Sequence, residues 1–277
     1  DYSLNSIKSL IIGPVGLILA AVLLVAVGVF VMQRLSGSAP VNVMGGLRQK
    51  GVLTIGVPDE LAPLGYYDVD NKLVGFEVEL AQQLGDRILG EGSTVLVPVT
   101  PKTRGAYINQ SKCDILIASV NKNEANMKSF NMSEVYLQDD VLFLCMSNAD
   151  IDLNSRNTVI GVISGSNSKA ALEAYIAGNS ELKARLVNVP SHPEAIEALE
   201  KMEIDFYCND RTTLSDKWLR EGMKLTGPIV GTQNYAITCR LREKDLFAEI
   251  ERAYNEIKTD GTLKELYNKY NLTPPKN

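Results

Sequence analysis

The sequence predicts an α/β protein built as two units, each a mostly parallel sheet with helical cover, preceded by one transmembrane helix. Three observations predict it. Short apolar runs alternate with helix-period stretches as β-α-β-α-β from residue 52 to 119, and a second alternation follows from 141. Residues 10–32, LIIGPVGLILAAVLLVAVGVFVM, form 23 positions without a charge. The chain has 277 residues, 45% hydrophobic and 22% charged, which suffices for one large domain or two ordinary ones.

As a helix, 10–32 would be about 34 Å long, enough to cross a hydrocarbon core of about 30 Å. A cleaved signal peptide has a shorter apolar region, roughly 7–15 residues, although Gly37-Ser38-Ala39 resembles a cleavage site. A lipoprotein signal needs a cysteine just after the run, and the first cysteine is Cys113. A single-pass anchor in a lipid bilayer is therefore the expectation, followed by a small polar linker over 33–44. Lys8 precedes the span and Arg34, Arg48 and Lys50 follow it. That is a mild positive-inside bias, which large translocated domains override. The sequence begins at Asp1 rather than Met, and residues are expected to precede it.

Within the globular part, 52–57 (VLTIGV) reads as a strand. Phe76, Leu80, Ala81, Leu84 and Ile88 recur at helical spacing, which predicts a helix over 75–89. A strand over 94–99, a short helix over 104–110 and a strand over 114–119 complete the first unit. The second has strands at 141–146, 158–163, 185–189 and 204–208. Its helices are expected at 168–176, 191–201 and 213–219. A strand over 235–240 and helices over 245–258 and 262–270 close the chain. The helix over 245–258 carries apolar residues at 246, 247, 250, 253, 254 and 257, with Gly261 as its stop.

Net charge is −5 and no basic block stands out, which argues against nucleic acid as a partner. The one histidine, His192, lies in SHPE, which reads as a capping box with Ser191 as N-cap and Glu194 reaching back. Cys113, Cys145, Cys208 and Cys239 lack metal-ligand spacing and read as buried thiols. No Walker A loop, GxGxxG, HExxH or GxSxG occurs, so neither a metal nor a cofactor is called for, and no catalytic residue is assigned.

Six segments in order resemble the bacterial extracellular solute-binding proteins of family 3, the polar amino-acid receptors of ABC importers. They are GVLTIGV (51–57), NKLVGFEVELAQQLG (71–85), TRGAYINQSKCDILIAS (103–119), GVISGSNS (161–168), IDFYCNDRTTL (204–214) and IKTDGTLKELYNKYNL (257–272). The resemblance covers about 47–272 and leaves the anchor outside. It implies a two-lobed, periplasmic-binding-protein-like (type II) fold with a hinge. Lobe 1 would comprise 45–138 plus 233–277, and lobe 2 would comprise 139–232. The implied role is that of a binding protein, not an enzyme. It would bind a small polar solute outside the cytoplasm and pass it to the membrane subunits of an ABC importer.

The resemblance also implies a ligand set of Glu60, Arg104, Ser119, Asn121, Asn126, Ser166 and Asp210. Asp210 falls where the family's aspartate accepts an α-ammonium; on local sequence alone it also reads as a solvated acid at a helix start. Ser166 stands where the family has a threonine, and Asn121 replaces the first threonine of the loop after the third strand. Asn126 falls where an arginine should grip the α-carboxylate, and Asn supplies no charge. Arg104 reads either as the compensating cation or as a structural ion-pair partner. Leu61 stands near the expected aromatic cover, with Tyr66 and Tyr67 as substitutes. These departures motivate a second expectation, an accessory or sensor subunit of another membrane complex without amino-acid binding. A third, a dehydratase, would need Glu60 or Glu124 as general acid or base.

Overall fold

The computed structural model describes residues 17, 18, 20–28, 40–150, 152–215 and 218–276. Most of the expected anchor over 10–32 lies outside the described residues. Its described part, 17, 18 and 20–28, is helical with exposed side chains, Leu24 at 72%. Among the described residues no helix is long and apolar enough to cross a membrane. This segment and the globular unit from Asn42 onward are separate bodies.

The globular unit begins with α1 (Met44–Lys50), a stretch at the start of lobe 1 for which the sequence reading expected no element. Met44 and Leu47 nonetheless bury against the core, and Asp245 accepts from the Val43 and Met44 amides at 2.8 and 2.7 Å. β1 (Leu53–Pro58) follows, then a small antiparallel sheet of β2 (Glu60–Leu61), β3 (Gly65–Tyr67) and β4 (Leu73–Val74). α2 (Phe76–Leu89), β5 (Thr94–Val99), α3 (Arg104–Asn109) and β6 (Ile115–Leu116) complete a β-α-β-α-β run in which β1 pairs in parallel with both β5 and β6. The strand expected over 114–119 shrinks to two residues for local reasons. The Asp114 carboxylate takes the Thr54 amide and hydroxyl at 2.9 and 2.6 Å, and Ser119 turns the chain at φ 51°.

α4 (Glu124–Ser129) leads into β7 (Phe130–Met146). The second lobe runs β8 (Val159–Ile163), α5 (Asn167–Ala177), β9 (Arg185–Val189), α6 (His192–Glu200), β10 (Phe206–Asp210) and α7 (Arg211–Ser215). β8 pairs in parallel with β9 and β10. β11 (Met223–Arg240), α8 (Lys244–Thr259) and α9 (Thr262–Lys269) return to the first lobe.

The eight-stranded sheet runs β5-β1-β6-β11-β7-β10-β8-β9. Its two parallel ends are joined by antiparallel β7 and β11, 17 and 18 residues long. This corrects the expectation of short strands at 141–146 and 235–240 in a mostly parallel sheet. The polar stretches between the lobes gave no apolar signal, yet they pair with each other: Gln138 opposite Asn234, Asp139 opposite Gln233, Asp140 opposite Thr232. Backbone pairing satisfies their amides without a second apolar face.

Each lobe has its own core. One gathers residues between Met44 and Leu137 with those between Tyr235 and Tyr267; the other gathers residues between Val141 and Val230. Alternate residues of β7 feed opposite faces of the second core, Val141, Phe143 and Cys145 on one and Leu144 on the other. Both faces are covered, which is why VLFLCM is continuously apolar. All four cysteines are buried thiols.

Candidate functional site

Parallel strands of both lobes end at one cleft, the usual place for a ligand in α/β sheets. The residues that follow them line a cavity of about 380 Å³, within the range small-molecule sites occupy. β1 delivers Asp59, Glu60 and Leu61; β5 delivers Thr100 and Lys102; Ala118 follows β6. From the second lobe, β8 delivers Ser164, and β9 is followed by Ser191 and His192. The lobes approach closely here. Gly165, at φ +75°, leaves room for Lys102, whose Cα would lie 3.2 Å from an added Cβ. Burial raises the Asp59 carboxyl above its ordinary value.

Arg104 sits at the inner end of the cavity, on the first turn of α3. Thr100 and Thr103 fix that turn: the Thr100 amide donates to the Thr103 hydroxyl at 2.9 Å, and the Thr103 amide to the Thr100 carbonyl at 3.0 Å. The half-buried arginine donates from Nη1 to the Ala118 and Ser119 carbonyls at 2.7 and 2.9 Å. Its Nη2 donates to Asn167 Oδ1 in the opposite lobe at 2.9 Å. Asn167 Nδ2 in turn donates to the Ser119 carbonyl at 2.7 Å. Desolvation lowers the guanidinium below its ordinary value, opposed by Tyr235, Glu77, Tyr136 and Asp210.

Behind Ser119 lies Glu77, fully buried on α2. Its Oε1 accepts from the Ser119 amide at 2.7 Å, the Ser119 hydroxyl at 2.9 Å and the Tyr136 hydroxyl at 2.5 Å. Its Oε2 is buried without a partner. Desolvation pushes the carboxyl up to about 7, against those hydrogen bonds and the nearby Arg104. Glu77 thereby holds Ser119 in its left-handed turn, which aims the Ser119 carbonyl at Arg104 and Asn167.

Asp210 is 4% exposed at the end of β10. Its Oδ2 accepts from the Tyr235 hydroxyl and its Oδ1 from the Ser168 hydroxyl at 3.1 Å. Asp139, on β7, accepts from the Thr212 amide at 3.1 Å. Burial raises both carboxyls, Asp139 to about 8, with repulsion from Asp210 contributing there. A polar string continues into the second lobe. Ser168 shares its one hydroxyl hydrogen between Asp210 and Asn209 Oδ1, the latter at 2.9 Å, Asn209 Nδ2 donates to the Tyr207 hydroxyl at 2.6 Å, and that hydroxyl meets His192 Nδ1 at 2.5 Å.

The structure places the seven sequence-derived residues unevenly. Glu60 and Arg104 line the cavity, and the Ser119 carbonyl takes Arg104. Asp210, Ser166, Asn121 and Asn126 are not among the lining residues. Ser166 caps α5, accepting from the Lys169 amide at 3.1 Å. Asn126 Nδ2 donates to the Asn121 carbonyl at 2.7 Å, and Asn121 Oδ1 accepts from the Asn234 amide at 2.8 Å. Those two residues tie the loop to the crossing strands. Leu61 lines the cavity, Tyr67 is exposed, and Glu124 pairs with Lys128 at 2.7 Å. His192 does begin α6, but the expected capping box differs: the Ser191 hydroxyl donates to the Glu194 carboxylate, not to a backbone group, and His192 is buried against Trp218.

Sequence reasoning missed Asn167, Glu77, Tyr136, Tyr235 and Asp139. Glu77 had a signal, since it lies three and four positions before Leu80 and Ala81, on the apolar stripe of its helix. Among the described residues no group of three His, Cys, Asp or Glu side chains could hold a metal ion.

The family model for bacterial extracellular solute-binding proteins, family 3, matches residues 53–273. The L-cystine-binding protein TcyJ of Escherichia coli (strain K12) is 24% identical over 254 residues, covering 88% of this chain and 92% of that protein. An ABC uptake transporter substrate binding protein from Streptococcus pneumoniae, solved with bound histidine, superposes with a TM-score of 0.74 at 18% identity, covering 83% of this chain and 96% of that one. The ancestral amino acid-binding protein AncCDT-1, a precursor of cyclohexadienyl dehydratase, gives 0.72 at 19% identity, covering 83% and 99%.

Proposed function

Because this chain belongs to the bacterial extracellular solute-binding proteins of family 3, we propose that it binds a small polar, amino-acid-like solute between its lobes and presents it to the membrane subunits of an ABC importer. The observation that carries this reading is the cavity at the strand ends of both lobes, with Asp59, Glu60, Lys102, Arg104 and His192 on its walls. A ligand touching both lobes favours the closed arrangement by its differential contacts. The two crossing strands, near 137–140 and 231–234, are the bending points in this reading, and they divide lobe 1 (45–138 plus 233–277) from lobe 2 (139–232). In this reading Glu60 meets the ligand, and Arg104 borders it at the inner end with Ser119 behind. Asn121, Asn126, Ser166 and Asp210 hold the frame. The chemistry is binding, and no group is asked to act as acid or base.

In the same reading residues 10–32 anchor the protein in the bilayer and hold the globular unit outside the cytoplasm. Their 23 uncharged positions support this. Calorimetric titration of the globular unit with cystine, glutamine, histidine and arginine tests the receptor reading. Saturable heat with at least one is expected; no heat from any of them, or from a wider set of polar metabolites, would overturn it.

One observation favours a second reading, that of an accessory or sensor subunit. Asp210 is closed off by Tyr235 and Ser168, and Asn126 is bound to its own loop. Co-purification of a stable membrane complex from detergent, with no solute response, would select it.

A further inference from the structure

Asn167 opens α5 in the second lobe, yet its carboxamide is bonded to the first. It gives a hydrogen to the Ser119 carbonyl at 2.7 Å and takes one from Arg104 Nη2 at 2.9 Å. Its own carbonyl accepts from Gln233 Nε2 at 3.5 Å. An α-amino acid offers the same complements as this carboxamide, N–H donors for a carbonyl and an oxygen for a guanidinium. Any such head group that reached Ser119 and Arg104 would have to displace Asn167. Asp210, the next acceptor for an ammonium, has both oxygens bonded to Tyr235 and Ser168. The open space lies beside this cluster, in the cavity bordered by Asp59, Glu60 and Lys102.

We propose that Asn167 is the specificity-determining residue of the cleft, a built-in surrogate whose carboxamide closes the lobes on Ser119 and Arg104 in place of a solute's amino and carboxylate groups. The solute admitted is then recognised by the rest of its structure, in the adjacent cavity, and not by an α-amino-acid head group. This deepens the receptor reading above and rests on it.

The test compares the intact chain with N167G, using two probe pairs that differ only by the α-carboxylate: L-arginine with agmatine, and L-histidine with histamine. Calorimetry on the wild type is expected to show each pair bound within about threefold, because no carboxylate contact is lost. N167G, with Ser119 and Arg104 released, is expected to prefer the amino acid by about tenfold or more, the scale of one hydrogen bond to a charged group. Gain of amino-acid binding by N167G where the wild type shows none also supports the proposal. A wild type that already prefers the amino acid tenfold overturns it, as does a folded N167G with unchanged preference. If N167G does not fold, N167S keeps a polar helix start with a side chain too short for both partners, and the same outcomes apply. If no probe binds either protein, the receptor reading fails, and small-angle scattering judges Asn167 separately. A larger radius of gyration for N167G supports the bridge, and an unchanged one overturns it.

Discussion

The two ends of the cleft are made differently. At the inner end, Arg104, Ser119 and Asn167 are bonded to one another, Tyr235 is bonded to Asp210, and Glu77 stands behind Ser119. At the outer end, Asp59, Glu60 and Lys102 face a cavity. Polar groups buried together must satisfy each other, because an orphaned buried donor or acceptor costs about 1–3 kcal/mol. Groups facing a cavity can keep their capacity for a guest. The difference teaches that charge at a cleft is not by itself a sign of ligand contact. Mutations at the inner end should register as stability, and those at the outer end as affinity.

The largest effect is expected from Arg104→Ala. It strips the Ala118 and Ser119 carbonyls and Asn167 Oδ1 of a shared donor and removes a cation whose field acts on Glu77 and Asp210. Each of these neutral acceptors left without its charged donor costs about 1–3 kcal/mol. Urea denaturation should show that loss, and a loss below about 1 kcal/mol would place Arg104 with the outer, unspent groups.

The second effect is a pH dependence, and it sharpens the comparison because Glu77 and Asp210, both raised by burial, belong to the inner end, while Asp59 is the raised carboxyl of the outer end. Glu77 has its folded value near 7 against an ordinary 4.5. The folded protein keeps a proton there that the unfolded chain gives up. Its stabilisation is complete below pH 4.5 and is lost as pH rises towards and through 7. At about 1.4 kcal/mol per pKa unit the change is roughly 3 kcal/mol. Asp139 and Asp210, also raised, add in the same direction. Glu77→Gln keeps an acceptor for Ser119 and Tyr136 and cannot ionise. Its urea midpoints at pH 5 and pH 8 should therefore differ less than those of the wild type. An equal difference would show that Glu77 does not titrate in that window.

The same division explains what was legible in the sequence. The fold was readable because its cores obey simple periods. Phe76, Leu80, Ala81, Leu84 and Ile88 all bury on α2, as the helical spacing requires, and the six ordered segments, but for residues 51 and 52, fall within the span of the family model. The crossing strands were not, since the chain there is polar and its pairing partner lies about 100 residues away. The site was half readable. Arg104 and Glu60 came from the resemblance to the family, and both reach the cavity. Asn167 did not stand out, because an asparagine after a helix cap has many ordinary uses. Only tertiary contact brings it to Ser119 and Arg104. Tyr235 was hidden in the same way, since its hydroxyl partner, Asp210, belongs to the other lobe's strand.

The smallest expected effect on stability is at Glu60, and it is the one that tests the outer end. Glu60 is exposed on β2, next to the half-buried Asp59, and both border the cavity. Substitutions at such positions usually stay within about 0.5 kcal/mol of the wild type, so the urea midpoint of Glu60→Gln should not move measurably. Its affinity for a cationic solute should fall instead, because the carboxylate contributes through space to whatever charge the cavity holds. Partial solvent exposure limits that loss to about 1 kcal/mol, roughly fivefold, and added salt should shrink it further. Asp59→Asn should lose more affinity than Glu60→Gln, since burial strengthens its field. Titration of both variants with one cationic solute at low and high salt reads all three statements together. Equal affinities at both salt levels would mean that the outer carboxylates, like those of the inner end, serve the fold and not the guest.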